Sequence, residues 1–312
     1  MKFYTITLLF CVLYRATALC NKAQPVIGIL AQETSGHLAE LGTSDIYEDV
    51  VNLVKSAGAQ VVPVLINQTE AYYDELFNYL NGVLLPGGAI AFEKSPYYFN
   101  ALYFMKRSKE IFESKGEIFP VIGICMGFET MMFIMNGEQK VLSTTKYTSE
   151  VNLPVKFTRA ANNSVLFGGA PSSVIEQLEK PIAPNVHNFS VLMSTYENSP
   201  VLQSAASVLA TSVNEIGEEF IAAVESKVGL PWYATQFHPE FPSYNFKMKF
   251  LSHSPATIKA MQYIADVFVE ETRKSCHSFP SENSLLKMNI DNFPLTYRND
   301  IDPFCRSFYI FK

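Results

Sequence analysis

The chain has 312 residues, 48% of them hydrophobic and 17% charged, with a formal net charge of −6. A composition without charge runs or biased tracts belongs to a folded globular protein and excludes a disordered one. The scattered Lys and Arg form no concentrated basic face, so nucleic acid is not an expected partner.

In chain order, the first signal is Lys2 followed by an apolar run from Phe3 to Tyr14 and then Ala16-Thr17-Ala18. This reads as a signal peptide over residues 1–18, leaving residues 19–312 as a single domain. The run is too short to span about 30 Å of hydrocarbon, and no later run approaches ~20 apolar residues, so no membrane partner is expected. Sequons at Asn67, Asn162 and Asn188 are usable glycosylation acceptors in a secretory pathway. Once Cys11 leaves with the leader, Cys20, Cys125, Cys276 and Cys305 remain. With Cys125 kept as a thiol, at most one bridge forms among the other three, and one sulfur is left over.

Val26 to Ala31 reads as a strand and Ile46 to Ala57 as a helix ending before Gly58. The unit repeats: strand Gln60 to Leu65, helix Glu70 to Leu80, strand Val83 to Leu85, helix Tyr97 to Phe112 and strand Val121 to Ile124. The helix after Gly127 carries Met131, Met132 and Met135, which read as core packing. Short strands then follow at Val151 to Phe157, Val191 to Ser194, Val208 to Thr211, Phe220 to Val224 and Trp232 to Phe237. Ser254 and Pro255 open a helix that runs through Arg273, and Phe308 to Phe311 reads as a final strand. Alternation first and close-set strands later predict an α/β fold: a flavodoxin-like parallel-core sheet with helices on both faces and antiparallel edge strands.

The sharpest motif is Gly123-Ile124-Cys125-Met126-Gly127, placed where an apolar strand meets a helix. It is a nucleophile elbow with sulfur in place of oxygen, and the flanking glycines allow the sharp turn. The helix N-terminus beneath is expected to favour the thiolate. An oxyanion hole is offered by the amide of Met126 and by Pro86-Gly87-Gly88, at the end of an earlier strand, with Gly88 as the second donor. His238, in Gln236-Phe237-His238-Pro239-Glu240, is the candidate base, with Glu240 placed to hold its imidazole. A metal at His238 and Glu240 is not expected, because no second histidine stands at i+4 and no Cys-x-x-Cys is present.

The elbow, Pro86-Gly87-Gly88 and His238-Pro239-Glu240 together resemble the class I glutamine amidotransferase-like superfamily. Within it the chain is most similar to the gamma-glutamyl hydrolase family across Pro25 to Leu30, Asn81 to Gly88, Phe119 to Glu129, Gln236 to Glu240 and Ser252 to Pro255. The resemblance implies cleavage of γ-linked glutamates from folylpoly-γ-glutamates and antifolate polyglutamates, without cofactor, by a homodimer in lysosomes or outside the cell. It implies Cys125 as nucleophile, His238 as base and Glu240 as its supporting carboxylate. It adds Glu129, His187 and Gly87 as substrate-binding residues. A glutaminase or other γ-glutamyl amidase, or an inactive paralogue acting as a binding protein, are the alternatives on the same scaffold. One position departs from the family: its cleft tyrosine is replaced by Asp45, with Tyr47 nearby. An extra carboxylate is repulsive toward a polyanionic substrate and bears on substrate preference and activity.

Overall fold

The computed structural model describes residues 20–298, 300, 302 and 304–312. The expected signal peptide, and Cys11 with it, lies outside the described residues. The alternating half of the chain folds as β1 (Val26–Leu30), β2 (Ser44–Tyr47), α1 (Glu48–Ser56), β3 (Gln60–Val64), α2 (Glu70–Tyr79), β4 (Gly82–Leu85), α3 (Pro96–Lys115), β5 (Val121–Ile124) and α4 (Met126–Met135). The later strands are β6 (Lys156–Phe157), β7 (Ala206–Val213), β8 (Glu219–Ser226), β9 (Trp232–Thr235) and β10 (Ser307–Phe311), with the long helix α5 (Pro255–Arg273) before the last of them.

Eight strands form the main sheet, in the order β3-β1-β4-β5-β9-β8-β7-β6. Pairing is parallel from β3 to β9 and antiparallel from β9 outward. Strands β1, β4 and β5 are buried along their whole length, which is why they read as continuous apolar runs rather than alternating ones. Their side chains still alternate between two cores. Ile27, Ile29, Ile122 and Ile124 pack beneath α1 and α5 with Val50, Val54, Ile264 and Phe268. Val26, Leu30, Val83 and Val121 face α2, α3 and α4 with Phe77, Phe104, Met131 and Met132. The methionines are core packing, and the sheet is covered on both faces, as the pattern predicts.

Helix boundaries follow their caps. Ser95 caps α3, whose first residue is Pro96, and Gly116 ends it in the left-handed region at φ 71°. Ser254 accepts from the amide of Thr257 at the start of α5.

Three expected elements are corrected. The helix read from Ile46 begins at Glu48, because Ser44–Tyr47 is a strand that pairs antiparallel with β10. All four of its residues are buried, so neither a helical nor an alternating period was visible. The run Val151 to Phe157 divides at Pro154: Ser149–Leu153 pairs with Ala183–Val186, while β6 joins the main sheet. Val191 to Ser194 is not a strand. Phe189–Ser190 pairs with Ser143–Thr144, and a short helix, Met193–Glu197, follows.

A second sheet, from Leu295–Tyr297 through β10 and β2 to Gln32–Glu33, lies at the carboxyl end of β1. Cys20 and Cys276 form a disulfide with Cα atoms 5.2 Å apart, tying the start of the described chain to the end of α5. Cys125 and Cys305 are free and buried.

Candidate active site

Cys125 stands between β5 and α4 with φ 52°, a region that a side-chain-bearing residue occupies only when its surroundings hold it there. Its neighbours explain how. A Cβ on Gly123 would lie 2.6 Å from the Gly127 backbone, and one on Gly127 would lie 2.0 Å from the carbonyl oxygen of Leu85. The amide of Cys125 donates to Thr235 in β9 at 2.9 Å, so the elbow is anchored on the next strand.

Three turns at the carboxyl ends of parallel strands converge here. A Cβ on Gly87, just past β4, would stand 2.7 Å from Cε1 of His238 and 3.3 Å from Cβ of Cys125. Only a glycine fits between the two side chains. A Cβ on Gly88 would stand 1.9 Å from Oε1 of Gln32 and 2.7 Å from Cε of Met126. The backbone amides of Met126 and Gly88 both reach the Cys125 sulfur and favour its thiolate. Burial outweighs them, followed by the nearby carboxylates Glu129 and Glu240, and the thiol is held well above its ordinary pKa. The expected thiolate preference of the helix N-terminus is therefore overridden, and the sulfur needs a base to take its proton.

His238 follows β9 and is buried. Its Nδ1 lies 2.6 Å from Oε1 of Glu240, and its ring stacks on Phe241 with centroids 4.3 Å apart. Nε2 is buried and has no hydrogen-bond partner among the described residues. The Tyr47 hydroxyl, in β2, donates to the same Glu240 oxygen at 2.8 Å. Burial and the adjacent Glu240 push the Tyr47 phenol well above its ordinary pKa, so it serves as a donor.

The cleft is lined by Gly87, Gly88, Cys125 and His238, together with Asp45 and Tyr47 from β2. Glu240 sits behind His238, fully buried. Glu129 and His187 do not line the cleft. Glu129, one turn along α4 from Cys125, is buried and accepts from Nε2 of Gln236 at 3.1 Å, and burial raises its carboxyl to about 8. His187 is buried against Phe220, with Nε2 2.9 Å from Oδ1 of Asn185. Burial, with a smaller contribution from His238, lowers its pKa to about 3, so it is neutral. Asp45 faces the cleft, and burial raises it to about 7. Asn67, Asn162 and Asn188 are all exposed. Among the described residues no cluster of His, Cys, Asp and Glu is arranged to hold a metal ion, and no helix is long and apolar enough to cross a membrane.

Tyr47, Gln32 and Gln236 were missed in the sequence. Gln236 stands in the His238 motif and Tyr47 beside Asp45, but no role was assigned to either, because each takes its place through contacts across the fold: Tyr47 reaches a residue 193 positions away, and Gln236 one 107 positions away.

Comparison with known proteins matches residues 43–255 to the family described as Glutamine amidotransferase class-I. Gamma-glutamyl hydrolase of Homo sapiens is 35% identical over 292 residues, covering 92% of this chain and 90% of that protein. Gamma-glutamyl hydrolase of Mus musculus is 33% identical over 91% of this chain and 89% of its own length. Gamma-glutamyl hydrolase B of Dictyostelium discoideum is 35% identical over 88% of this chain and 79% of its own. Among solved structures, the glutaminase domain of Trypanosoma brucei CTPS with bound acivicin shares the fold, with a TM-score of 0.52 at 11% identity over 82% of this chain and 96% of that one.

Proposed function

The chain belongs to the gamma-glutamyl hydrolase family, on the class I glutamine amidotransferase fold, and from that premise we propose that it hydrolyses the γ-glutamyl amide bonds of folylpoly-γ-glutamates and antifolate polyglutamates. The observation that carries the chemistry is His238: Nδ1 is held by Glu240, Nε2 is buried with no partner among the described residues, and the ring edge at Cε1 faces the Cys125 side chain across Gly87. That nitrogen takes the thiol proton, and the sulfur attacks the γ-carbonyl carbon. The carbonyl oxygen, now negative, is held by the amides of Met126 and Gly88. Return of the proton from Nε2 to the amide nitrogen breaks the C–N bond, releases the amine and leaves a thioester on Cys125. Water, deprotonated by the same nitrogen, then releases the γ-carboxylate and restores the thiol.

In this reading Glu240, supported by Tyr47, fixes the tautomer and stabilises the imidazolium. Glu129 and His187, which the family resemblance offers as substrate-binding residues, are buried, and the neutral His187 imidazole adds no charge of its own. Gly87 gives substrate access to both reacting side chains.

The same proposal places the protein in the lysosome or outside the cell, as a homodimer glycosylated at Asn67, Asn162 and Asn188. The exposure of the three asparagines and the Cys20–Cys276 bridge support a secretory route, since disulfides persist in oxidising compartments.

The test is hydrolysis of a pteroyl-pentaglutamate at pH 5 and pH 7 by the mature chain and by Cys125→Ala. Cleavage by the wild type alone is the expected result. A folded wild type that leaves the compound intact would sink the folate assignment.

A further inference from the structure

The cleft that holds the thiol is acidic. Glu33, Asp45 and Asp302 line the cleft, and among the described residues no Lys or Arg does. Lys247, close by, gives its ammonium to the backbone carbonyls of Asp302 and Cys305. Asp45 is only 3% exposed, yet among the described residues its Oδ2 has no hydrogen-bond partner, and neither does the buried Oε2 of Glu33. Buried carboxylate oxygens without donors are costly unless a ligand supplies one.

Position gives that need a meaning. Gln32 places Oε1 against Gly88, and its side chain also hydrogen-bonds Asp45. Asp45 is thus one amide group away from the turn whose N–H faces the Cys125 sulfur. A γ-glutamyl group with its carbonyl oxygen at Met126 and Gly88 carries its α-carbon two methylenes further on, within reach of these carboxylates.

Two kinds of γ-glutamyl residue could present that carbon. An internal residue of a conjugate has an acylated, neutral α-nitrogen and a free α-carboxylate, so its only charge repels the carboxylates. An amino-terminal residue brings an α-ammonium, which can satisfy the unpartnered oxygen with a charge-assisted hydrogen bond. We infer that Asp45 is a specificity-determining residue that accepts the free α-ammonium of an amino-terminal γ-glutamyl group. The preferred substrates are then γ-glutamyl peptides and poly-γ-glutamates with an unblocked amine, cleaved at their first γ-bond. The inference rests on the γ-glutamyl hydrolase reading and ranks its substrates: folylpoly-γ-glutamates, in which every α-nitrogen is acylated, are turned over more slowly than γ-glutamyl compounds with a free amine.

The experiment compares γ-glutamyl-leucine with its N-acetyl derivative at pH 8, where Asp45 is ionised. Turnover is measured on the mature wild type and on Asp45→Asn. Affinity is measured by calorimetry on Cys125→Ala, with and without Asp45→Asn. A charge-assisted hydrogen bond of about 1.5–3 kcal/mol predicts that the free amine is favoured by roughly ten- to hundredfold in kcat/KM and in Kd. With Asp45→Asn both ratios should collapse toward one. Equal or better binding of the acetylated compound by the Asp45 protein, or a ratio that Asp45→Asn leaves alone, would overturn the inference. Binding preference without turnover of either compound would leave it standing and sink the hydrolase reading instead.

Discussion

The cleft has two walls built on different principles. One is made of three turns at the carboxyl ends of β4, β5 and β9, where glycines bring the backbone close and the chemistry is carried by amides, a thiol and an imidazole. The other is the small antiparallel sheet of β2 and β10, whose buried side chains supply Asp45 and, through Tyr47, the support of Glu240. The first wall holds what any γ-glutamyl acyl transfer needs. The second holds what distinguishes one γ-glutamyl substrate from another. Reaction and selectivity are therefore separable by mutation, and each wall should fail in its own way.

The largest expected effect is on the first wall. Cys125→Ala removes the nucleophile, and kcat/KM should fall by about 10⁴ or more, measured with whichever γ-glutamyl substrate the wild type cleaves. Retained turnover above about 1% would refute the thioester route. Gly127→Ala is expected to be the most damaging single methyl for the fold. Its Cβ would stand 2.0 Å from the Leu85 carbonyl, a backbone atom that cannot swing aside. A loss of about 3 kcal/mol in denaturant unfolding is expected, and a change under 1 kcal/mol would show that the elbow is looser than its geometry implies.

The second wall should reveal itself through pH. Burial raises the Asp45 carboxyl from 3.8 to about 7. The folded state therefore keeps a proton that the unfolded chain gives up, so the native state binds more protons between these two values. Stability linked to this group is fully present below about pH 4 and is lost as pH rises through about 7. After allowance for relaxation and water access, the loss between pH 5 and pH 8 should be about 2 kcal/mol. Asp45→Asn cannot ionise and should escape it. Urea unfolding of both proteins at the two pH values checks this, and identical pH dependence would refute the buried-acid wall.

The same contrast explains what could be read from the sequence. The first wall was legible because its constraints are local: Gly123-x-Cys125-x-Gly127 and Pro86-Gly87-Gly88 state backbone requirements within five residues, and His238-x-Glu240 a side-chain pair within three. The parallel core was legible because strands buried on both faces must be apolar throughout. The second wall was not. It joins Ser44–Tyr47 to Ser307–Phe311, strands separated by most of the chain. The apolar residues Ile46 and Tyr47 merged with the spacing of the helix that follows. Pro154 hid a change of sheet inside one apolar run, because a proline lacking an N–H can end one ladder just before the next begins. The Cys20–Cys276 pairing, 256 residues apart, was likewise left open. It depends on where α5 ends in space.

The smallest expected effect lies at a hydrogen bond that joins the two walls. Tyr47 donates to the Glu240 oxygen that also meets Nδ1 of His238, so the second wall steadies the base of the first. Because the phenol holds its proton, the bond persists across the working pH range. Tyr47→Phe keeps the ring beside Phe241 and removes only the hydroxyl, leaving a buried carboxylate with one donor fewer. The other oxygen of Glu240 already has no partner, so no second donor compensates. A lost hydrogen bond to a charged group is worth about 1–2 kcal/mol here, and the imidazolium of the transition state depends on that carboxylate more than the bound substrate does. The expected result is a fall in kcat of about fivefold with KM unchanged within a factor of about two. A rise in KM at constant kcat would instead place Tyr47 in substrate binding and make the second wall a recognition surface alone.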